Sequence, residues 1–327
     1  MHQLYPLKFK PIFKEKIWGG DRINTLLKMD FTPLSNCGEA WLISSVEGDL
    51  SVVENGFLAG NNLNELIEIY MDDLLGEAVF EKHQKAFPLL VKLLDATDWL
   101  SIQVHPNDTM AQKYGSSNGK TEMWYVMDSQ ESAQLITGFH RDTSSKEYLQ
   151  LLQEKQLHKI VNYEATHKGD LFFMPAGRIH ALGPGNLIAE IQQTSDTTYR
   201  IYDWDRIDEK GKGRELHLEK AMEAINFKAE PPYRTPYAKR KNETAPAISC
   251  PYFTTNILPL TQPVTKNLEA LDSFVIYLCT EGEGVLKDRS GETPIKAGEA
   301  ALIPAEIMEL TIFPRSSCTL LEVYVLP

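Results

Sequence analysis

Gly169-Asp170-Leu171-Phe172-Phe173-Met174-Pro175-Ala176 has an echo far down the chain, Gly298-Glu299-Ala300-Ala301-Leu302-Ile303-Pro304-Ala305. Each copy opens with a glycine and an acid, runs through four apolar residues and stops at Pro-Ala. An apolar run of this length between Gly and Pro reads as a buried strand closed by turns. Upstream, Met123 to Val126 and Phe274 to Tyr277 occupy similar places. A unit used twice predicts a mainly β chain made of a repeated β barrel. The copies part five residues beyond the proline, where the first has His180 and the second Glu309.

Working outward, Gly38 to Ser44, Leu50 to Val53 and Phe87 to Leu94 read as strands, and Asn62 with Glu65 as a capping box ahead of a helix on Leu63, Leu66, Ile67, Tyr70 and Leu74. Ser144 with Glu147 resembles a second box, before a short helix expected on the outside of a sheet. Leu218, Ala221, Met222 and Ile225 mark one more helix. Lys228 to Pro246, rich in Pro, Lys and Arg, reads as a solvated linker. Beyond it, Phe253 to Leu258, Phe274 to Cys279, Ala300 to Ile303, Leu310 to Phe313 and Leu320 to Val325 read as short strands. The expected division is residues 1–227, a linker at 228–246, and 247–327.

With 43% hydrophobic and 24% charged residues, the 327-residue chain has the composition of a globular protein. A net charge of −12 argues against nucleic acid as a partner, whose binders are basic. It leaves room for an anionic small molecule, because a few local cations dominate a cleft. Cys37, Cys250, Cys279 and Cys318 are scattered and form no C-x-x-C pair, as expected of thiols in a reducing compartment. Met1 to Lys16 has no apolar core of signal-peptide length, and no stretch reaches the roughly 18 apolar residues of a membrane helix. These features predict a cytoplasmic protein without a membrane partner.

The chemistry gathers around Leu100-Ser101-Ile102-Gln103-Val104-His105. On a strand Gln103 and His105 point to one face. Joined by Glu122 and His180, they offer two nitrogens and two oxygens, a set that suits zinc or another borderline divalent ion. Each is also credible alone as a hydrogen-bonded core residue. Lys92, Lys120, Arg178 and Arg200 lie near the same strands, and Arg takes phosphate in bidentate fashion. Lys92, inside an apolar run, is either an anion contact or a lysine at the sheet's rim. Glu190 and Asp196 can move protons or pair with the cations. Trp18, beside Gly19 and Gly20, is either a site wall or a Trp packed over a loop. Metal with cations suggests a small, phosphorylated, oxygen-rich substrate. The second copy holds no histidine, which confines metal chemistry to the first and leaves the second to cover a sheet face or support a dimer.

Five stretches carry a resemblance: F-P-L-L-V-K-L-L-D from Phe87, L-S-I-Q-V-H-P-N-D from Leu100, G-K-T-E-M-W-Y-V from Gly119, G-D-L-F-F-M-P-A-G-R-I-H-A-L from Gly169 and S-D-T-T-Y-R-I-Y-D-W-D-R from Ser195. Together they resemble type I mannose-6-phosphate isomerases, in their short bacterial form, over the first 227 residues. The resemblance implies two cupin-type jelly-roll β-barrels with a few short helices, the C-terminal one degenerate. It implies one zinc per chain held by Gln103, His105, Glu122 and His180, and Arg200 as the catalytic arginine. Lys92, Ser101 and Trp18 match substrate-pocket positions, and Arg178 is a further candidate there. Lys120 matches the lysine before the zinc-binding glutamate; where some relatives carry a histidine before it, this chain has Gly119. The implied reaction interconverts mannose 6-phosphate and fructose 6-phosphate through an enediol, the proton carried by Lys120, Glu190 or Asp196. A non-catalytic sugar-phosphate-binding cupin and an isomerase of another aldose phosphate are the rivals, and the chain is expected as a monomer or homodimer.

Overall fold

The computed structural model describes residues 3–207 and 211–326. Three sheets lie in layers. A five-stranded sheet runs Val161–Ala165, Gln134–Phe139, His180–Leu182, Ile102–Val104, Tyr199–Tyr202. A six-stranded sheet runs Leu171–Met174, Glu122–Ser129, Asn186–Gln193, Leu89–Ala96, Glu39–Ile43, Ile12–Lys14. An eight-stranded sheet has the path Leu7–Lys8, Ala300–Ile303, Val275–Asp288, Glu309–Tyr324, Thr254–Leu260, Ala245–Ser249, with Val264–Asn267 and Gly291–Lys296 paired off it.

Strand periodicity assigns the faces. In the six-stranded sheet Val91, Leu93, Met123, Ala189 and Ile191 join one core with Ile257, Ile276, Leu278, Leu302 and Leu321 of the eight-stranded sheet. The alternate residues Leu94, Trp124, Val126 and Ile188 face the five-stranded sheet and meet its Leu135 and Leu182. The outer face of the five-stranded sheet packs Ile102, Val104, Ile136 and Ile201 against Tyr148 and Ala221 of the helices Ser145–Gln153 and Leu218–Ala224. The helix Ser145–Gln153 lies outside the sheet, as its sequence pattern places it, and Leu218–Ala224 packs on the same face.

The repeat is real in three dimensions. Gly169 and Gly298 both take left-handed backbone, φ +86° and +91°, which a side chain resists and glycine accepts. Leu171–Met174 pairs with Glu122–Tyr125, and Ala300–Ile303 with Val275–Leu278. The register corrects the sequence alignment by two residues: Glu122, not Trp124, is the counterpart of Val275, because Met174 faces Glu122 and Ile303 faces Val275. The match extends across each sheet. Phe172, Trp124, Glu190 and Lys92 form one row, and Ala301, Tyr277, Glu322 and Asn256 form the equivalent row.

Several local expectations are refined. The Asn62–Glu65 capping box is complete, whereas Ser144 accepts from the Glu147 N–H but the Glu147 carboxylate turns to Arg141 and Thr143. The strands expected at 310–313 and 320–325 are one strand, Glu309–Tyr324, which bends where its partner carries register shifts at Cys279/Glu281 and Gly282/Gly284. Within 228–246 many residues are exposed, but Tyr233 is buried, with its hydroxyl on the Phe139 carbonyl at 2.7 Å. Arg234 bridges Phe172, so this stretch covers the open edge of the six-stranded sheet. The N-terminal Leu7–Lys8 pairs with Leu302 and Ala301, joining the first residues to the last sheet. Among the described residues no helix is long and apolar enough to cross a membrane.

Candidate active site

The site lies between the five- and six-stranded sheets. On the five-stranded sheet His180, Gln103 and Arg200 stand in register on three adjacent strands. On the facing sheet Trp124, Glu190 and Lys92 form a row, with Glu122 two residues before Trp124 on the same face. His105 completes the set just after Ile102–Val104, before the turn at Pro106.

His105, Glu122 and His180 are buried, and a nitrogen or oxygen from each lies within 4.8 Å of the others. The Nδ1 atoms of His105 and His180 lie 2.9 and 2.8 Å from the carbonyls of Thr197 and Arg178. A carbonyl only accepts, so each Nδ1 carries the proton and each Nε2 turns a lone pair inward. Those Nε2 atoms sit 3.4 and 3.2 Å from the Glu122 carboxylate. Burial, and then the Lys120 ammonium, push His105 down to about 3, so the ring is neutral. Burial alone would raise Glu122, but the Lys120 ammonium in contact with it holds it well below the carboxylate range. Glu122 Oε1 is buried without a hydrogen-bond partner. Two inward lone pairs and an unsatisfied carboxylate oxygen fit a divalent cation of intermediate softness. Gln103 adjoins them, its amide nitrogen 3.3 Å from His180 Nε2 and its oxygen 3.4 Å from the Ser101 hydroxyl. Rotating the amide by half a turn brings the oxygen to the cluster instead. The Lys120 ammonium touches Glu122 and lies 3.0 Å from His105 Nε2.

Over this cluster opens a polar pocket of about 270 Å³. Trp18, Lys92, Ser101, Gln103, Lys120, Glu190, Asp196 and Arg200 all line it. Arg178 does not: its guanidinium donates to the Phe173 carbonyl and Glu230 and lies over the Tyr233 ring. Trp18 is buried and forms wall. Lys92 is not at a rim. It is buried in mid-sheet, 3.4 Å from Glu190 and 3.9 Å from Glu39, over the Trp41 ring. Burial disfavours its charge, yet those carboxylates raise it net above the usual lysine value. Glu190 is raised by burial and by Glu122, and accepts from the Trp124 indole at 2.8 Å. Asp196 is exposed at the mouth.

Three charged lining residues escaped the sequence reading: Lys16, Glu39 and Arg214. Lys16 pairs with Glu39 at 3.1 Å. Arg214 is fixed by Asp203, its Nε donating to Oδ2 at 2.7 Å and Nη2 to Oδ1. Only strand pairing signals Glu39, which stands opposite Leu94. Nothing local in sequence marks Arg214. Among the described cations of the lining, Arg200 alone has no carboxylate partner. Burial and the nearby Arg214 lower its pKa, and its Nε is buried without a partner. An anion placed beside these guanidiniums would relieve both.

This arrangement has relatives. The family model for phosphomannose isomerase type I, catalytic domain, matches residues 6–140, and that for mannose-6-phosphate isomerase, cupin domain, matches residues 242–325. The chain is 37% identical over 317 residues to mannose-6-phosphate isomerase ManA of Bacillus subtilis (strain 168), covering 96% of this chain and 97% of that one. The chain belongs to the type I phosphomannose isomerase family. A mannose-6-phosphate isomerase of Streptococcus mutans is 34% identical over 304 residues, 92% of this chain and 93% of that one. The crystal structure of the Bacillus subtilis mannose 6-phosphate isomerase superposes with a TM-score of 0.88 at 33% identity, over 98% of this chain and 100% of that one. A putative mannosephosphate isomerase from Archaeoglobus fulgidus, 23% identical, shares the fold with a TM-score of 0.79 over 99% of each chain. This member is therefore an isomerase with cupin-type units, and its buried His105, Glu122 and His180 form a metal-capable cluster.

Proposed function

We propose that the protein interconverts D-mannose 6-phosphate and D-fructose 6-phosphate with one zinc ion held by Gln103, His105, Glu122 and His180. The observation that carries this reading is the inward pair of imidazole lone pairs with the unsatisfied Glu122 oxygen, directly beneath a polar pocket lined by guanidiniums. When bound, a zinc ion supplies Lewis acidity toward sugar oxygens.

The chain's own residues do the rest. Arg200 and Arg214 anchor the substrate's anionic groups at one wall, Arg214 oriented by Asp203. Ser101 offers a hydroxyl on the same side, next to Gln103. Trp18 and Trp124 close the apolar part of the wall and limit water. Lys120 and Asp196 face the cavity as carriers for the proton that moves between C2 and C1. Lys92 and Glu190 hold the sheet row beneath them as a buried ion pair.

The test is a coupled assay of fructose 6-phosphate formed from mannose 6-phosphate, as purified, after chelation and after zinc is restored, with glucose 6-phosphate alongside. Activity lost on chelation and recovered with zinc is expected, on mannose 6-phosphate above glucose 6-phosphate. Protein carrying one metal per chain and turning over neither sugar overturns the proposal.

A further inference from the structure

Among the polar contacts between the catalytic unit and the C-terminal unit, one lies behind the turn that follows His105. The hairpin between Ala245–Ser249 and Thr254–Leu260 turns through Cys250, Pro251, Tyr252 and Phe253, closed by the Cys250 N–H on the Phe253 carbonyl at 3.0 Å. Phe253 is buried in the shared core, which fixes the hairpin tip. From that tip the Tyr252 hydroxyl donates to Asp108 Oδ2 at 2.8 Å. Asp108 stands in the turn after His105, at the start of the helix Asp108–Lys113.

The other oxygen of Asp108 is used as fully. Oδ1 accepts the Gly119 N–H at 2.8 Å and the Gln193 amide at 3.0 Å. Gln193 in turn accepts the Thr121 N–H at 2.9 Å, and the Lys120 N–H donates to the Pro106 carbonyl at 3.0 Å. Three consecutive N–H groups, those of Gly119, Lys120 and Thr121, are thus pinned to the turn and to Gln193. Contact is close: a Cβ at Gly119 would lie 2.6 Å from the Asn107 carbonyl carbon and 2.7 Å from the Asp108 nitrogen. The chain therefore enters the pocket at Lys120 from a backbone seated on the Asn107–Asp108 peptide.

We propose that Tyr252 is a positioning residue for Lys120, acting through Asp108 and the Gly119 N–H, so that the C-terminal unit completes the frame of the active site. A three-donor carboxylate is a firm anchor because each N–H or O–H meets a full charge. The thermodynamic direction agrees: burial and Asp108 push the Tyr252 phenol up to about 12, and the Gly119, Gln193 and Tyr252 donors hold Asp108 low against the effect of burial. The second unit, without histidines, thereby contributes to a site it does not line. The consequence for turnover rests on the reading of Lys120 as a pocket residue; the consequence for the backbone does not.

The experiment compares the full-length wild type with Tyr252→Phe, Asp108→Asn and the double variant, zinc-loaded. Tyr252→Phe keeps the ring that packs the hairpin and removes only the hydroxyl. Amide hydrogen exchange over residues 118–122 is expected to quicken about 3- to 10-fold, the equilibrium worth of one hydrogen bond. Exchange in the strands 275–288 and 309–324 is expected to stay unchanged. A fall in kcat of about 3- to 10-fold is expected, with KM for mannose 6-phosphate within about 2-fold, because the effect falls on placement rather than binding. The double variant is expected to match Asp108→Asn alone. Unchanged exchange at 118–122 in Tyr252→Phe, or strictly additive effects in the double variant, overturns the proposal. A wild type without isomerase activity would instead remove the functional reading, and the exchange data would still decide this one.

Discussion

Removing the Lys92 ammonium is the perturbation whose effect the structure defines most sharply. Lys92→Met keeps a similar stem in the apolar strand and deletes the charge. The ammonium lies 3.4 Å from Glu190 and 3.9 Å from Glu39, and all three residues sit in or beside the buried row. Breaking a buried pair by removing one member costs about 3–5 kcal/mol, because the partner charge stays behind unpaired. At roughly 2–4 °C per kcal/mol for a large domain, this corresponds to a fall in Tm of about 6–20 °C near neutral pH. The pH dependence has a definite sign. Lys92 is raised in the fold, so its contribution is complete below its unfolded value of 10.5 and constant across the acidic range. Glu39 is lowered by Lys92 and Lys16 against burial, so its contribution exists above its unfolded value and disappears as pH falls. In the variant both Glu39 and Glu190 lose that cation and rise, and the penalty shrinks as acid protonates them. Thermal unfolding at pH 7.5 and pH 5 measures this. The Tm deficit is expected to be larger at pH 7.5. A deficit below about 2 °C at pH 7.5, or one that grows toward pH 5, would refute the reasoning.

Three further outcomes follow from the same geometry. Glu122→Gln removes the one carboxylate of the chelating cluster, and zinc affinity by calorimetric titration is expected to fall by at least ~100-fold, more than the loss of an outer partner brings; binding at wild-type strength would show that the cluster is not the metal site. Arg214→Ala is expected to raise KM for mannose 6-phosphate about 10-fold or more with kcat changed less, since the guanidinium lines the wall but not the chelating end; an unchanged KM would take Arg214 out of substrate binding. Glu190→Gln is expected to keep kcat within about 10-fold while lowering Tm, whereas loss of a general base costs about 10²–10⁴-fold.

Much of the site was legible because strand periodicity is simple. Gln103 and His105 two apart, and Lys120 and Glu122 two apart, must share faces, and they do. The apolar run around Phe172 predicted a strand ending at a turn, and His180 opens the next strand, within reach of Gln103. Arg178 misled because a turn precedes that strand: two residues from His180 in sequence, its side chain follows the turn to Glu230 rather than the strand face. Arg214 was invisible because its position is set by a salt bridge to Asp203, a contact with no local pattern. Tyr252 was invisible for a stronger reason, since only the packing of one unit on the other brings it to Asp108. A side chain in place of Gly119 has no room here, because its backbone lies against Asn107 and Asp108.

The repeat teaches the same lesson about Glu190. Sequence showed it only as Gly, four apolar residues and Pro, because the residue types elsewhere have diverged. Register reveals that Trp124, Glu190 and Lys92 stand where Tyr277, Glu322 and Asn256 stand in the second unit. The chemistry of the two rows is parallel: the Trp124 indole donates to Glu190 at 2.8 Å, and the Tyr277 hydroxyl donates to Glu322 at 2.8 Å. Each glutamate also has a lysine, Lys92 at 3.4 Å and Lys266 at 2.7 Å. Yet the chelating positions differ, with Val275 in the place of Glu122 and an exposed Glu309 in the place of His180. The second interior is filled by Leu258, Leu286, Leu310 and Leu320 around that row. An aromatic donor, a glutamate and a lysine therefore occur together where the described residues form no chelating cluster. Their shared purpose is to satisfy a buried carboxylate at the centre of a sheet, a task of the fold. Glu190 faces the pocket because the first unit keeps its interior open, and its bonds to Trp124 and Lys92 do not by themselves make it the proton carrier.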